Sequence, residues 1–299
     1  MSRADFTIDV HHQGRKGCVA VRVLETEAGL ALVDTGPGST LPVLEAGLAA
    51  NGSGLGDVHA ILLTHIHLDH AGAIGSIVKA NPVIEVFVHE LGATHLVDPT
   101  KLMASATRVF GDRMATLWGD FLAVPGERVR VLRGGETIGV ADRSFAVAHT
   151  PGHAVHHVAY YEAETGTAFV GDTGGMRMPP ISFPLPVTPP PDFNLEHWNA
   201  SLDRILAFKP ARLYHTHFGF NESPVEQLAL LRQGLRDWTD AATRCLAYDT
   251  DDPTRASEFA DWVRSWLAGR ASSEGLADYA AFADFGASWY GIARYLRKR

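Results

Sequence analysis

The sequence predicts an α/β fold in which strands and helices alternate in two halves, followed by a helical tail. Three observations predict it. Short runs rich in β-branched residues, such as 18–25, 29–34 and 83–88, have the length of strands and are bounded by turn residues. Between such runs lie stretches with an apolar stripe at helical spacing, as in 40–50 with Leu41, Leu44 and Leu48. One apolar run, Ile61-Leu62-Leu63, leads directly into Thr64-His65-Ile66-His67-Leu68-Asp69-His70. That density of imidazole and carboxylate at the end of a buried strand is too costly to bury without a partner.

The chain opens with a strand at 6–10, a turn marked by Gly14 and Gly17, and strands at 18–25 and 29–34. His11 and His12 fall in the first loop and read as exposed, with the rim of a site as the other reading. The third strand ends at Asp34, whose carboxylate needs hydrogen-bond partners if buried. Gly36-Pro37-Gly38-Ser39 is a turn before the helix at 40–50. After the histidine stretch come a helix at 73–80 and a strand at Val83–Val88. His89 and His95 read as structural or rim residues. Residues 98–122 are helical in tone, with Met114, Leu117, Trp118 and Phe121 at packing spacing; they read equally as core or as a lid. Strands follow at Val129–Leu132, Glu136–Val140 and Ser144–Ala148, with Gly134-Gly135 as a hairpin turn. The last delivers His149-Thr150-Pro151-Gly152-His153, where proline and glycine turn the chain and present His153. A strand over 154–161 carries His156 and His157, one of which must face inward.

Thr167–Val170 is a strand ending in Gly171-Asp172-Thr173. Pro179 to Pro191 is proline-rich and extended, and reads either as an ordered loop near the site or as a connector. Met176, Arg177 and Phe183 are candidate substrate walls there, as is Trp118 in the insertion. A helix spans Asn194–Phe208, and a last strand begins at Arg212-Leu213-Tyr214. Ser223-Pro224-Val225-Glu226 reads as a capping box opening a helix over 223–247. Helices at 255–269 and 275–297 complete a tail with no chemical motif. The domains expected are 1–222, containing the insertion 98–122, and a helical extension 223–299 that could supply a dimer surface or part of a substrate pocket.

Composition narrows the function classes. The 299 residues can bury a sizeable core. A formal charge of −8 argues against a nucleic-acid surface. No apolar run has membrane-spanning length, and Met1-Ser2-Arg3-Ala4-Asp5 lacks the apolar core of a signal peptide. Two cysteines, Cys18 and Cys245, make no disulfide framework and read as small buried side chains. A cytoplasmic protein acting on a small molecule is the expectation.

The histidine stretch reads as a metal site, because neutral imidazole and carboxylate are natural ligands of a divalent cation. His65 and His67 are two apart and point the same way in extended chain, whereas Asp69 and His70 follow as the chain turns toward a neighbouring point. This H-x-H-x-D-H, with Asp34, His149-Thr150-Pro151-Gly152-His153, Gly171-Asp172-Thr173 and His217-Phe218-Gly219 in that order, resembles the metallo-β-lactamase superfamily over residues 5 to 220. The resemblance implies a four-layer αββα sandwich of two mixed sheets with metals at one edge. It implies one metal on His65, His67 and His153, a second on Asp69, His70 and His217, and Asp172 bridging them. Zinc is the first expectation, with iron or manganese as alternatives. Asp34 would support the ligands from behind, a role histidine ligands require. Strand alternation does not separate His215 from His217; the glycine turn after His217 and the family's closing motif favour His217.

Two such metals would acidify a shared water, so that hydroxide is available near neutral pH. Asp69 and Asp172 would be the catalytic carboxylates, with Asp69 also handling a proton. An ester, lactone or thioester is the expected substrate, as in the glyoxalase II and lactonase relatives. Thr216-His217-Phe218-Gly219 departs from the glyoxalase II pattern Gly-His-Glu-Tyr. Asp69 and the lack of a ligand cysteine depart from antibiotic-hydrolysing β-lactamases. The other readings are an iron redox enzyme similar to persulfide dioxygenases, a metallo-phosphodiesterase, and a non-catalytic binding module.

Overall fold

The structure is a computed structural model that describes residues 5–179, 181, 183–272, 276–277, 279–280 and 283–299. The expected N-terminal residues Met1–Ala4 and parts of the 179–191 and 275–297 segments lie outside the described residues. Among the described residues the strands form two mixed sheets of six. The first contains β1 (Phe6–Asp9), β2 (Ala20–Thr26), β3 (Gly29–Val33), β4 (Val58–Leu62), β5 (Glu85–His89) and β6 (Val129–Leu132), paired in that order. The second contains β7 (Thr137–Val140), β8 (Arg143–His149), β9 (Val158–Glu162), β10 (Thr167–Phe169), β11 (Arg212–His215) and β12 (Gly219–Asn221), also paired in chain order. β3 to β6 run parallel, as do β10 and β11; the remaining pairs are antiparallel.

Strand period explains the layering. On β3 and β4, Ala31, Val33, Ala60 and Leu62 enter a core shared with Phe145, Val147, Phe169 and Tyr214 of the other sheet. Their alternates Leu30, Leu32 and Ile61 face a second core that contains Leu44, Leu48, Ile74 and Ile77 of the helices. Tyr160 crosses between the sheets, its hydroxyl donating to Leu63 O at 2.7 Å. Trp198, Leu202 and Ile205 of the 195–207 helix and Leu228, Leu231, Leu235, Trp238, Phe259 and Trp289 of the C-terminal helices belong to that same large core. No described helix is long and apolar enough to cross a membrane.

Several local expectations need correction. Gly134-Gly135 is no hairpin: β6 and β7 belong to different sheets, so the pair carries the chain across, with φ of 87° and 96°. A Cβ on Gly134 would collide with the backbone of His149. The hairpin lies one strand later, between β7 and β8. Residues 154–157 precede β9 rather than forming part of it, so His156 and His157 do not alternate and both are buried. Ser223 precedes the 224–246 helix without a side-chain cap, so that N-terminus rests on Pro224 at its first position. The last described helix is Phe285–Leu296, capped by Asp284.

Candidate metal centre

The site lies where parallel strands end side by side. Val33 pairs with Leu62, so Asp34 and Thr64 leave the first sheet together. Phe169 pairs with Tyr214, so Asp172 and His217 leave the second sheet at a common edge. β4 ends at Leu62, residues 63–67 carry His65 and His67, and the chain then turns into a short helix, Leu68–Ala71. The turn does not part the motif cleanly, since the His65 ring lies 4.0 Å from the His70 ring and 4.5 Å from that of His67.

Three overlapping groups result, each with its ligand atoms within 4.8 Å of one another: His65, His67 and His153; His65, His70 and Asp172; Asp69, His70 and His217. Asp172 faces both ways. Its Oδ2 lies 3.3 Å from His153 Nε2 and 4.0 Å from His65 Nε2. Its Oδ1 lies 3.1 Å from His70 Nε2 and 3.5 Å from His217 Nε2. Asp69 Oδ2 is 3.3 Å from His217 Nε2. All seven residues expected as ligands are therefore gathered in one place. His215 takes part in none of the three groups; its Nδ1 donates to Gly175 O at 3.2 Å.

These residues fit a divalent cation by what they lack. His65 Nε2, His70 Nε2 and Asp172 Oδ1 are buried without a hydrogen-bond partner, although the last two are close. Orphaned polar atoms of this kind carry a full desolvation penalty unless a ligand satisfies them. Burial pushes His67 down to about 3 and His65 well below the usual range, so both are neutral and free to ligate. Burial would raise the Asp172 carboxyl, but His70, His217 and His153 outweigh it and hold it well below the carboxylate range.

The opposite ring nitrogens are fixed from behind. His70 Nδ1 donates to Asp34 Oδ2 at 2.7 Å, His217 Nδ1 to Cys18 O at 2.6 Å, and His153 Nδ1 to Val187 O at 2.7 Å. Each bond sets a tautomer that leaves Nε2 toward the centre. Asp34, fully buried at φ 58°, also accepts from Thr64 N, Thr64 Oγ1 and Thr216 Oγ1. His157 Nε2 accepts from Asp172 N at 3.1 Å while its Nδ1 meets Thr150 Oγ1 at 2.8 Å, which holds the Asp172 turn. Asp34→Asn keeps the shape but turns one acceptor into a donor within this network. We expect metal affinity to fall about 10- to 100-fold, read by chelator competition, and stability to fall by about 1–3 kcal/mol, read by urea unfolding.

The other sequence candidates divide. His12 is buried rather than exposed, stacked on Trp118 at 5.3 Å and 17°, while His11 is exposed. Asp69 and His217 are the charges that act on His12 after burial, so the first loop and the 98–122 insertion meet beside the site. Ser39 Oγ donates to Leu117 O at 2.8 Å and ties that insertion to the 38–40 turn. Arg177 donates through a terminal guanidinium nitrogen to Phe220 O at 2.8 Å, and its backbone N–H donates to His217 O. Met176 is buried and the half-buried Phe183 packs on Trp266 at 5.0 Å, so both brace the segment. His89 stacks on His149 at 4.1 Å, outside the three groups. Sequence reasoning missed the carbonyls of Cys18 and Val187, because a backbone acceptor leaves no trace in residue type.

Comparisons with known proteins agree with this fold. The profile of the metallo-beta-lactamase superfamily matches residues 17–217. A metallo-beta-lactamase fold-containing protein of Sulfurisphaera tokodaii is 27% identical over 183 residues, 59% of this chain and 68% of that one. A hydroxyacylglutathione hydrolase of a Synechococcus species is 33% identical over 146 residues; the match spans 49% of this chain but only 44% of that protein. The crystal structure of a metallo-beta-lactamase family protein from Thermus thermophilus superposes with a TM-score of 0.71, covering 94% of this chain and 88% of that one at 24% identity. With the family profile spanning the histidine motif through His217, the chain belongs to the metallo-beta-lactamase superfamily.

Proposed function

We propose that the protein is a metal-dependent hydrolase holding two divalent cations, zinc first among them, that cleaves an ester-type bond in a small molecule: an ester, lactone or thioester. The observation that carries this reading is Asp172, whose two oxygens face two separate ligand sets. When bound, the cations would supply Lewis-acid polarisation of the scissile carbonyl and acidify water. His65, His67 and His153 would hold one, and Asp69, His70 and His217 the other.

The remaining work belongs to the chain. Asp69 is the more open of the two carboxylates, its side chain 19% exposed against 3% for Asp172. It can therefore meet substrate and accept a proton. The Asp34 network fixes His70 against displacement. Trp118, laid on His12, supplies one wall and keeps water from that side; Arg177 braces the strand end bearing His217 from the other. In this reading residues 1–222 carry the chemistry and 223–299 support it.

Elemental analysis of protein purified without chelator should approach two metal equivalents per chain, and a panel of esters, lactones and thioesters should reveal turnover. A stable maximum of one iron with sulfur-oxidising activity would replace this reading with the persulfide dioxygenase-like one. Phosphodiester cleavage without ester turnover would move it to the phosphodiesterases.

A further inference from the structure

The three bonds that fix the backs of the ligand histidines differ in origin. Asp34 and Cys18 O come from the first sheet. Val187 O, which accepts from His153 Nδ1 at 2.7 Å, comes from the proline-rich segment, which has little regular structure of its own. Beside its own Met176–Leu185 bridge, that segment is held by the C-terminal tail. The Tyr279 hydroxyl accepts from Met178 N at 2.8 Å and lies 3.2 Å from both Met176 O and Phe183 O. Thr188 Oγ1 donates to Ser288 O at 3.1 Å. Gly291 gives the closest approach: a Cβ there would collide with Thr188 O and stand 2.9 Å from Pro189 C. Tyr279 and Trp289 are fully buried, so this contact is part of the core and not a surface brush.

We propose that the C-terminal helices are a positioning element for His153, acting through the Val187 carbonyl, and that they thereby set the affinity of one metal position and not the other. Tyr279, Thr188 and Gly291 are positioning residues in this sense; none of them touches the seven ligand side chains. The mechanism is geometric. A histidine whose Nδ1–H has lost its acceptor is free to rotate or to take the other tautomer, and it then ligates less well. Because Val187 and Thr188 are adjacent, a displacement of Thr188 reaches the acceptor with no intervening flexible residue. This inference rests on His153 being a ligand, as the proposed function holds.

The test uses the full-length chain, stripped of metal and titrated with zinc against a chromophoric chelator. Tyr279→Phe removes the hydroxyl anchor, Thr188→Val removes the bond to Ser288, and Gly291→Ala drives the two backbones apart. The expected result is a 10- to 100-fold weaker affinity for one zinc equivalent, with the second equivalent unchanged. In nitrogen-15 labelled protein, the His153 Nδ1–H signal should broaden or disappear, while those of His70 and His217 remain. Thermal unfolding of the metal-free forms checks folding, and the two conservative variants carry the test where Gly291→Ala does not fold. Wild-type affinity at both equivalents, or an equal loss at both, would overturn the proposal. If His153→Ala leaves zinc binding untouched in the same assay, the ligand assignment itself has failed and this inference falls with it.

Discussion

Asp172→Ala should abolish nearly all hydrolysis while leaving a folded protein. The carboxylate reaches both ligand sets, 3.3 Å from His153 on one side and 3.1 Å from His70 on the other. In the proposed two-cation reading, its removal would take an oxygen ligand from each. If Lewis-acid activation contributes several kcal/mol, a loss of roughly 4 kcal/mol corresponds to about 10³-fold in kcat/KM. At least one metal equivalent should go with it. Folding should survive because Asp172 sits after β10, in a turn whose backbone N–H is already held by His157. The measurement is kcat/KM on the best substrate of the panel, beside elemental analysis and a melting curve of the metal-free form. Turnover within a few-fold of wild type would remove the mechanism.

His217→Ala and His215→Ala should behave in opposite ways. His217 follows the end of β11 by two residues and points Nε2 at Asp69 and Asp172. Its loss should remove about one metal equivalent and most activity. His215 is the last residue of the strand and bonds to Gly175 O. Burial, with Arg177 next, pushes it down to about 4, so it is a neutral packing group. His215→Ala should keep both metals and lose stability by about 1–3 kcal/mol, from a buried hydrogen bond and the space left behind. Metal counts on the two variants decide the matter; two equivalents in His217→Ala and one in His215→Ala would reverse the assignment.

Much of the fold and of the site could be read from the chain alone, because the features concerned are local. The apolar run 61–63, the period-2 alternation of β3 and β4, and the helical stripe of Leu44 and Leu48 need only neighbours in sequence to declare themselves. The motif His65 to His70 is likewise local: a strand end, then a turn into helix, with ligand-type residues on both sides of the break. Its likeness to a known superfamily brought in His153, Asp172 and His217, which no short-range pattern connects.

Tertiary structure decided what depends on distant chain. Whether Gly134-Gly135 closes a hairpin or crosses to the other sheet depends on which strand β7 finds as a partner, and it finds β8. Whether His12 is exposed depends on Trp118, far along the chain, arriving to stack on it. Which carbonyl fixes the rings of His217 and His153 depends on Cys18 lying against the one and Val187 against the other, contacts in which a backbone acceptor serves without regard to its side-chain type. The sequence by itself determined most of the strands, the ligand-type residues and their order. Their convergence, and the tautomer of each ring, came only with packing, since a buried polar atom must take the partner that the whole fold brings to it.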